Sequence, residues 1–323
     1  MKPPALNVRN LSVWLDTGQR QAKAVDSVSF SIHAGQTRGL VGESGCGKTL
    51  TALAILGLLQ GHNTRVESGG IEINGRDISV LSARQRRAVL GRDIAMIFQQ
   101  PGTALDPVFT IGQQLRAVFR RHMGDSRASA RKAALETLEM VGFNKPLETA
   151  GFYPHQLSGG MRQLAMIAMA MVCKPAVILA DEPTTALDAS TRFIILDQLK
   201  ALQKAHDTAI LMVSHDLSIV RQICNRVMVM YCGRIIEKSA SPTFFSTARH
   251  PYSAGLLACI PQIDSGRLCA IKAIPGQVPP LSELPTGCHF APRCDRAEPR
   301  CRVSVPRLDA ETGSVVACFN PLP

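Results

Sequence analysis

Apolar and polar positions along this 323-residue chain follow two periodicities that change over at a few marked places. Residues 5–35 alternate: Val28, Phe30 and Ile32 interleave with Ser27, Ser29 and Ser31, which predicts antiparallel, half-buried strands. Ile71 and Ile73 repeat the pattern before Asn74-Gly75, predicting a strand that runs into a turn. From about Ala83 to Lys174 the spacing is mainly helical, with Leu135, Leu138 and Val141 on one face. Apolar runs without alternation return at Ala176–Ala180, Ala209–Val213 and Val227–Tyr231. Between the first two, Ile195, Leu199 and Leu202 predict a helix. Such strands alternating with helices predict an α/β fold with a mainly parallel sheet covered on both faces.

Past about Glu237 the periodicity fades and prolines and glycines crowd in: Pro261, Pro275, Gly276, Pro279, Pro280, Pro285 and Gly287. The expected organisation is one large domain over 1–237, mainly helical at about 95–174, and a small appended domain over 238–323. The start, Met-Lys-Pro-Pro, has no apolar core of a secretory signal. The longest apolar run, Leu164 to Cys173, has ten residues, about half a membrane span. A chain soluble by itself is expected.

A net charge of +11 suits nucleic acid, a nucleotide or an anionic membrane face. The basic residues gather at Arg84, Arg86, Arg87 and Arg92 and again from Arg116 to Lys132, without interleaved aromatics. With one Trp and three Tyr there is no base-stacking platform, so the clusters read as solvated surface and nucleic acid is not an expected partner. Of ten cysteines, Cys46, Cys173, Cys224, Cys232, Cys259 and Cys269 sit mostly among apolar neighbours as small core residues, and disulfides are not expected.

The chemistry concentrates in three segments. Gly42-Glu43-Ser44-Gly45-Cys46-Gly47-Lys48-Thr49 follows a short apolar run and precedes a helical one, Leu50 to Leu59. A strand, a glycine turn and a helix start make a phosphate-binding loop. Gly42, Gly45 and Gly47 open the backbone path, Lys48 would meet the β- and γ-phosphates, and the Thr49 hydroxyl would hold Mg²⁺. The strand Val177 to Ala180 ends in Asp181-Glu182, where Asp181 is placed for Mg²⁺ and Glu182 for a proton from attacking water. Leu157-Ser158-Gly159-Gly160 opens a second helix able to face an anion.

Two phosphate-gripping helix starts in one chain resemble the ATP-binding subunits of ABC transporters, in which such signature segments close over ATP held by the opposite subunit. The resemblance implies an ABC-type nucleotide-binding fold: mixed sheet core, antiparallel β subdomain, helical subdomain and cysteine-rich extension. It makes Gly42, Ser44, Gly45, Cys46, Gly47, Lys48 and Thr49 the phosphate cradle, and Asp181, Thr49 and Gln99 the Mg²⁺ set. Glu182 becomes the catalytic carboxylate, Ser158, Gly159 and Gly160 the signature, Asp188 (in Ala186-Leu187-Asp188) the D-loop and His215 the switch histidine. The family's adenine-stacking aromatic falls by spacing on Leu15, with Trp14 adjacent.

Arg249-His250-Pro251-Tyr252 and Leu256-Leu257 resemble the extension of ATPases serving peptide and nickel importers. Cys288, Cys294, Cys301 and Cys318 lie in a segment poor in apolar residues, which suggests a metal staple; zinc usually takes close Cys pairs, and buried free thiols are the plain alternative. By resemblance the four would bind a 4Fe–4S cluster, with Arg293 offsetting its charge. The implied assembly is a peripheral ATPase at the cytoplasmic face of a bacterial inner membrane. It would work with a second ATPase subunit, either another copy or, as is common in this importer group, a different chain, with two transmembrane permeases and an external substrate-binding protein. Peptide is the expected cargo; a nickel or metal-chelate system, antimicrobial-peptide resistance and a soluble nucleotide-dependent regulator are the alternatives.

Overall fold

The computed structural model describes residues 3–16, 21–59, 63–124, 126–185, 187–260, 263–264, 267–268, 273–308 and 315–323. They fall into two compact units. One gathers residues up to Asn7, Ser31–Gln36 and Ile71–Met212; the other gathers Val8–Phe30, Thr37–Gly70 and Val213–Pro323. This division runs differently from the linear split at 237, because the last segment shares a unit with the phosphate loop.

In the first unit, strands Ile94–Ile97 and Val177–Asp181 run parallel, with Ile94 opposite Val177 and Ile97 opposite Ala180. Every residue of Val177–Asp181 is buried, as an apolar run without alternation requires. Asp181 itself ends the strand and is 3 % exposed, rather than lying just past it. Ile94–Ile97 interrupts a stretch whose spacing predicts helix, since four residues are too few to register a period of their own.

The longer helices of this unit start where short polar side chains cap them. Thr110 and Gln113 form a capping box for Ile111–Met123, and Ser126, Ser158 and Asp188 cap Arg127–Met140, Gly159–Met171 and Ala189–His206. Ile111, Leu115, Ala130, Ala134, Leu138 and Val141 make the buried seam between the first two. The ten-residue apolar run is the buried body of Gly159–Met171, which packs on Ile94–Ile97. Ile71 and Ile73 are buried, and Asn74 and Gly75, both at positive φ, make a two-residue hairpin back to Arg76.

In the second unit, Thr37–Val41 pairs in parallel with Arg226–Tyr231, which turns back antiparallel into Arg234–Ala240. The alternation in Gln21–Ile32 is as expected: Val28, Phe30 and Ile32 are buried, Ser27 is exposed, and Ser29 and Ser31 lie between. Strand Thr64–Glu67 pairs antiparallel with Leu6–Asp16, Trp14 opposite Arg65. The appended segment is stitched into this unit: Val315–Val316 adds to the edge of Arg234–Ala240, and Phe244 and Tyr252 are fully buried. Among the described residues no helix is long and apolar enough to cross a membrane.

Candidate functional site

The strand Thr37–Val41 delivers the glycine loop, and the helix Lys48–Leu56 carries it away. Gly47 starts that helix at φ 106°, where a Cβ would lie 2.7 Å from Ala24 O; at Gly42 one would meet Met230 O at 2.2 Å. Both positions therefore require glycine. No side chain caps the helix start, in contrast to the next helix, Ala83–Val89, which Ser82 caps. Lys48 is 6 % exposed, and its ammonium donates to Gly42 O (2.8 Å), Glu43 O (3.0 Å) and Cys46 Sγ (3.6 Å). Its position is thus set by the curve of the loop. Ser44, Gly45 and Thr49 are exposed, while Cys46 is buried, which raises its thiol pKa and fits a residue used through its backbone.

In the other unit the strand Val177–Asp181 ends at Glu182, held at φ 47° in the left-handed region. Holding a non-glycine residue there costs of order 1 kcal/mol. Gln99 Nε2 (2.8 Å) and Thr185 Oγ1 (2.9 Å) both donate to Glu182 Oε2 and orient the carboxylate. Two of the predicted catalytic groups, Gln99 and Glu182, therefore meet directly across 83 residues of sequence.

Ser158 Oγ accepts from Met161 N at 3.3 Å and Gly159 has open space around it. Gly160 is packed so closely that a Cβ would lie 2.5 Å from Thr191 Cγ2. Asp188 accepts from Thr191 N (2.9 Å), Thr191 Oγ1 (2.7 Å) and Ser190 Oγ. These donors, the Ser190 hydroxyl foremost, hold its carboxyl well below the usual carboxylate range. The signature turn and the D-loop aspartate thus share one neighbour, Thr191. Ala186, of the same D-loop triplet, and Cys269 lie outside the described residues.

His215 is exposed directly after Ala209–Ser214, and Asp216 caps the next helix through Ser218 N (2.9 Å). Trp14 is half-buried, its Nε1 donating to Glu67 Oε2 (3.1 Å) with Lys23 Nζ 5.0 Å from the ring centroid.

The four tail cysteines do not bear out the expected 4Fe–4S cluster. Among the described residues no group of three or more His, Cys, Asp or Glu is arranged to hold a metal ion. Cys288, Cys294, Cys301 and Cys318 instead line a small cavity with Phe290 and Phe319. Burial pushes the Cys294 thiol up to about 11 and raises those of Cys288 and Cys318. Arg293 offsets no cluster either: it forms a bidentate pair with Glu43, at 2.7 and 3.0 Å. Sequence reasoning missed that pair, and no local signal links residues 250 positions apart.

A glycine-cradled lysine ahead of a helix and a buried aspartate followed by an oriented glutamate mark a P-loop ATPase. The chain belongs to the ABC transporter family, whose pattern matches residues 25–185, and residues 236–301 match the C-terminal region of oligopeptide/dipeptide transporters. It is 42% identical over 315 residues to the oligopeptide transport ATP-binding protein AppD of Bacillus subtilis (strain 168), covering 97% of this chain and 96% of that protein. It is 39% identical over 320 residues to the dipeptide transport ATP-binding protein DppD of Escherichia coli (strain K12), covering 98% and 97%. The fold is similar to the dimeric ATP-binding cassette MJ0796 bound to ADP and Pi in a post-hydrolysis state, with a TM-score of 0.64 and 27% identity over 73% of this chain and 98% of that one.

Proposed function

We propose that this chain is the ATP-hydrolysing subunit of an importer that takes peptides across the cytoplasmic membrane, seated on the inner face through its permease partners. The observation that carries the reading is the near-complete coverage, at 42% identity, of a protein named for oligopeptide transport. The match of residues 236–301 to an oligopeptide/dipeptide transporter region supports it. In this reading residues 1–237 form the cassette, with a helical subdomain at about 95–174, and 238–323 its extension. The working unit adds a second ATPase subunit of different sequence, two permeases and an external binding protein.

Gly42, Ser44, Gly45, Cys46 and Gly47 offer backbone to the triphosphate and Lys48 offers charge. Thr49, Asp181 and Gln99 are the residues that would hold Mg²⁺, which when bound would neutralise charge developing on the phosphates. The donor set fits: a hydroxyl, a carboxylate and an amide are hard oxygen groups. Glu182, oriented by Gln99 and Thr185, takes a proton from the attacking water, and His215 contacts the γ-phosphate. Ser158, Gly159, Gly160 and Asp188 face the nucleotide of the opposite subunit. The test is ATPase activity in vesicles holding the assembled complex: peptide-loaded binding protein stimulates it, and unloaded protein does not. Stimulation by a nickel chelate with no response to peptide would overturn the cargo assignment.

A further inference from the structure

Glu43, the second residue of the phosphate loop, is gripped at three points. Its amide donates to Tyr252 Oη (2.8 Å), its carboxylate receives both terminal nitrogens of Arg293, and its carbonyl accepts from Lys48 Nζ. Arg293 and Tyr252 belong to the segment beyond 237, within the same compact unit as the loop.

Neither side chain is free to wander. The Arg293 side chain is 4 % exposed, its Nε donates to Pro275 O (2.8 Å), and its guanidinium carbon lies 5.9 Å from the ring centroids of Tyr231 and Phe290. Tyr252 is fully buried against the same two rings. The turn that presents it is tied down in its own right: the Tyr252 amide donates to His250 Nδ1 (3.0 Å), and the amides of Arg249 and His250 donate to the buried carboxylate of Glu237 (2.9 Å each). An unbroken line of hydrogen bonds therefore runs from Glu237 through His250 and Tyr252 to the loop.

A buried ion pair is a weak source of stability, since apolar packing of the same volume serves as well. A carboxylate inside an anion-binding loop is worse, because unpaired it repels the ligand. We propose that Arg293 and Tyr252 are positioning residues for ATP. Arg293 cancels the Glu43 charge, and the two together fix the carbonyl that sets the Lys48 ammonium. The extension thereby controls how well the cassette binds nucleotide. This rests on the reading of Lys48 as the phosphate lysine.

The experiment measures affinity of the full chain for a fluorescent ATP analogue, with KM and kcat for ATP in the assembled complex. R293Q strands the Glu43 charge, so affinity falls by about tenfold, or 1.4 kcal/mol, and KM rises more than kcat falls. Adding E43Q to R293Q removes that charge and restores most of the affinity. Y252F, which takes away the amide's acceptor, gives a smaller loss. R300Q, in the same extension but bonded to Phe319 O and Glu298, leaves affinity unchanged. Unchanged affinity and KM in R293Q overturn the proposal, as does an R293Q/E43Q double variant no better than R293Q. K48A separates the two levels: if it binds ATP normally the reading of the loop itself fails, whereas loss of binding in K48A with R293Q unaffected defeats the positioning role alone.

Discussion

The two helix starts expected to meet phosphate are built in opposite ways. Lys48–Leu56 begins at a glycine with no side-chain cap, and its lysine is buried and held by the loop's own carbonyls. Gly159–Met171 begins at an exposed serine that caps its own first turn, beside a glycine with nothing around it. The first leaves its opening amides without a side-chain cap and is scaffolded from behind. The second is finished by itself and presents a face. Preorganisation from within suits the group that binds ligand first; an open, self-capped face suits one that completes a site from across a subunit boundary.

That contrast breaks if variants on either side behave alike. The largest effect is expected for Glu182→Gln: with ATP binding intact, turnover of the assembled complex falls by about 10²–10⁴-fold in a steady-state ATPase assay. Lys48→Ala is next, lowering ATP affinity of the isolated chain by about a hundredfold, because a charged donor to phosphate is removed from a buried setting. Ser158→Ala sharpens the comparison: it costs about 1 kcal/mol of thermal stability through the lost cap, and it lowers turnover only in the assembled complex. A loss of ATP affinity in the isolated chain carrying Ser158→Ala would place the signature turn at its own subunit's nucleotide.

A separate effect is on acid stability. Burial holds His250 neutral and lowers its pKa to about 4 from 6.5. The unfolded chain takes up that proton first, so stability is full above pH 6.5 and declines as the pH falls towards 4, below which this loss levels off. His250→Asn, which keeps an acceptor for the Tyr252 amide, flattens that slope in urea melts across the same range.

What could be read from sequence was what neighbours in sequence decide. The alternation around Phe30, the apolar run ending at Asp181 and the glycines before Lys48 each act over a few residues, and each is found in place. Ile94–Ile97 was hidden inside a helical pattern because a four-residue strand has too little length to declare a period. The contacts of Gln99 with Glu182 and of Arg293 with Glu43 are decided by topology, so nothing beside either residue foretells them. The cysteines show the reverse error: four of one kind in a loop-rich tail suggested a ligand set, but the described residues hold no such group.

The separation of Glu43 from its guanidinium partner, 250 positions along the chain, has a consequence for biosynthesis. At about 5–20 residues per second, the loop carrying Glu43 is made roughly 12–50 s before Arg293. A nascent cassette therefore carries a bare acidic charge at its nucleotide site until its final portion arrives. Full affinity for fuel comes only when translation is nearly complete, which ties nucleotide loading to the finished molecule.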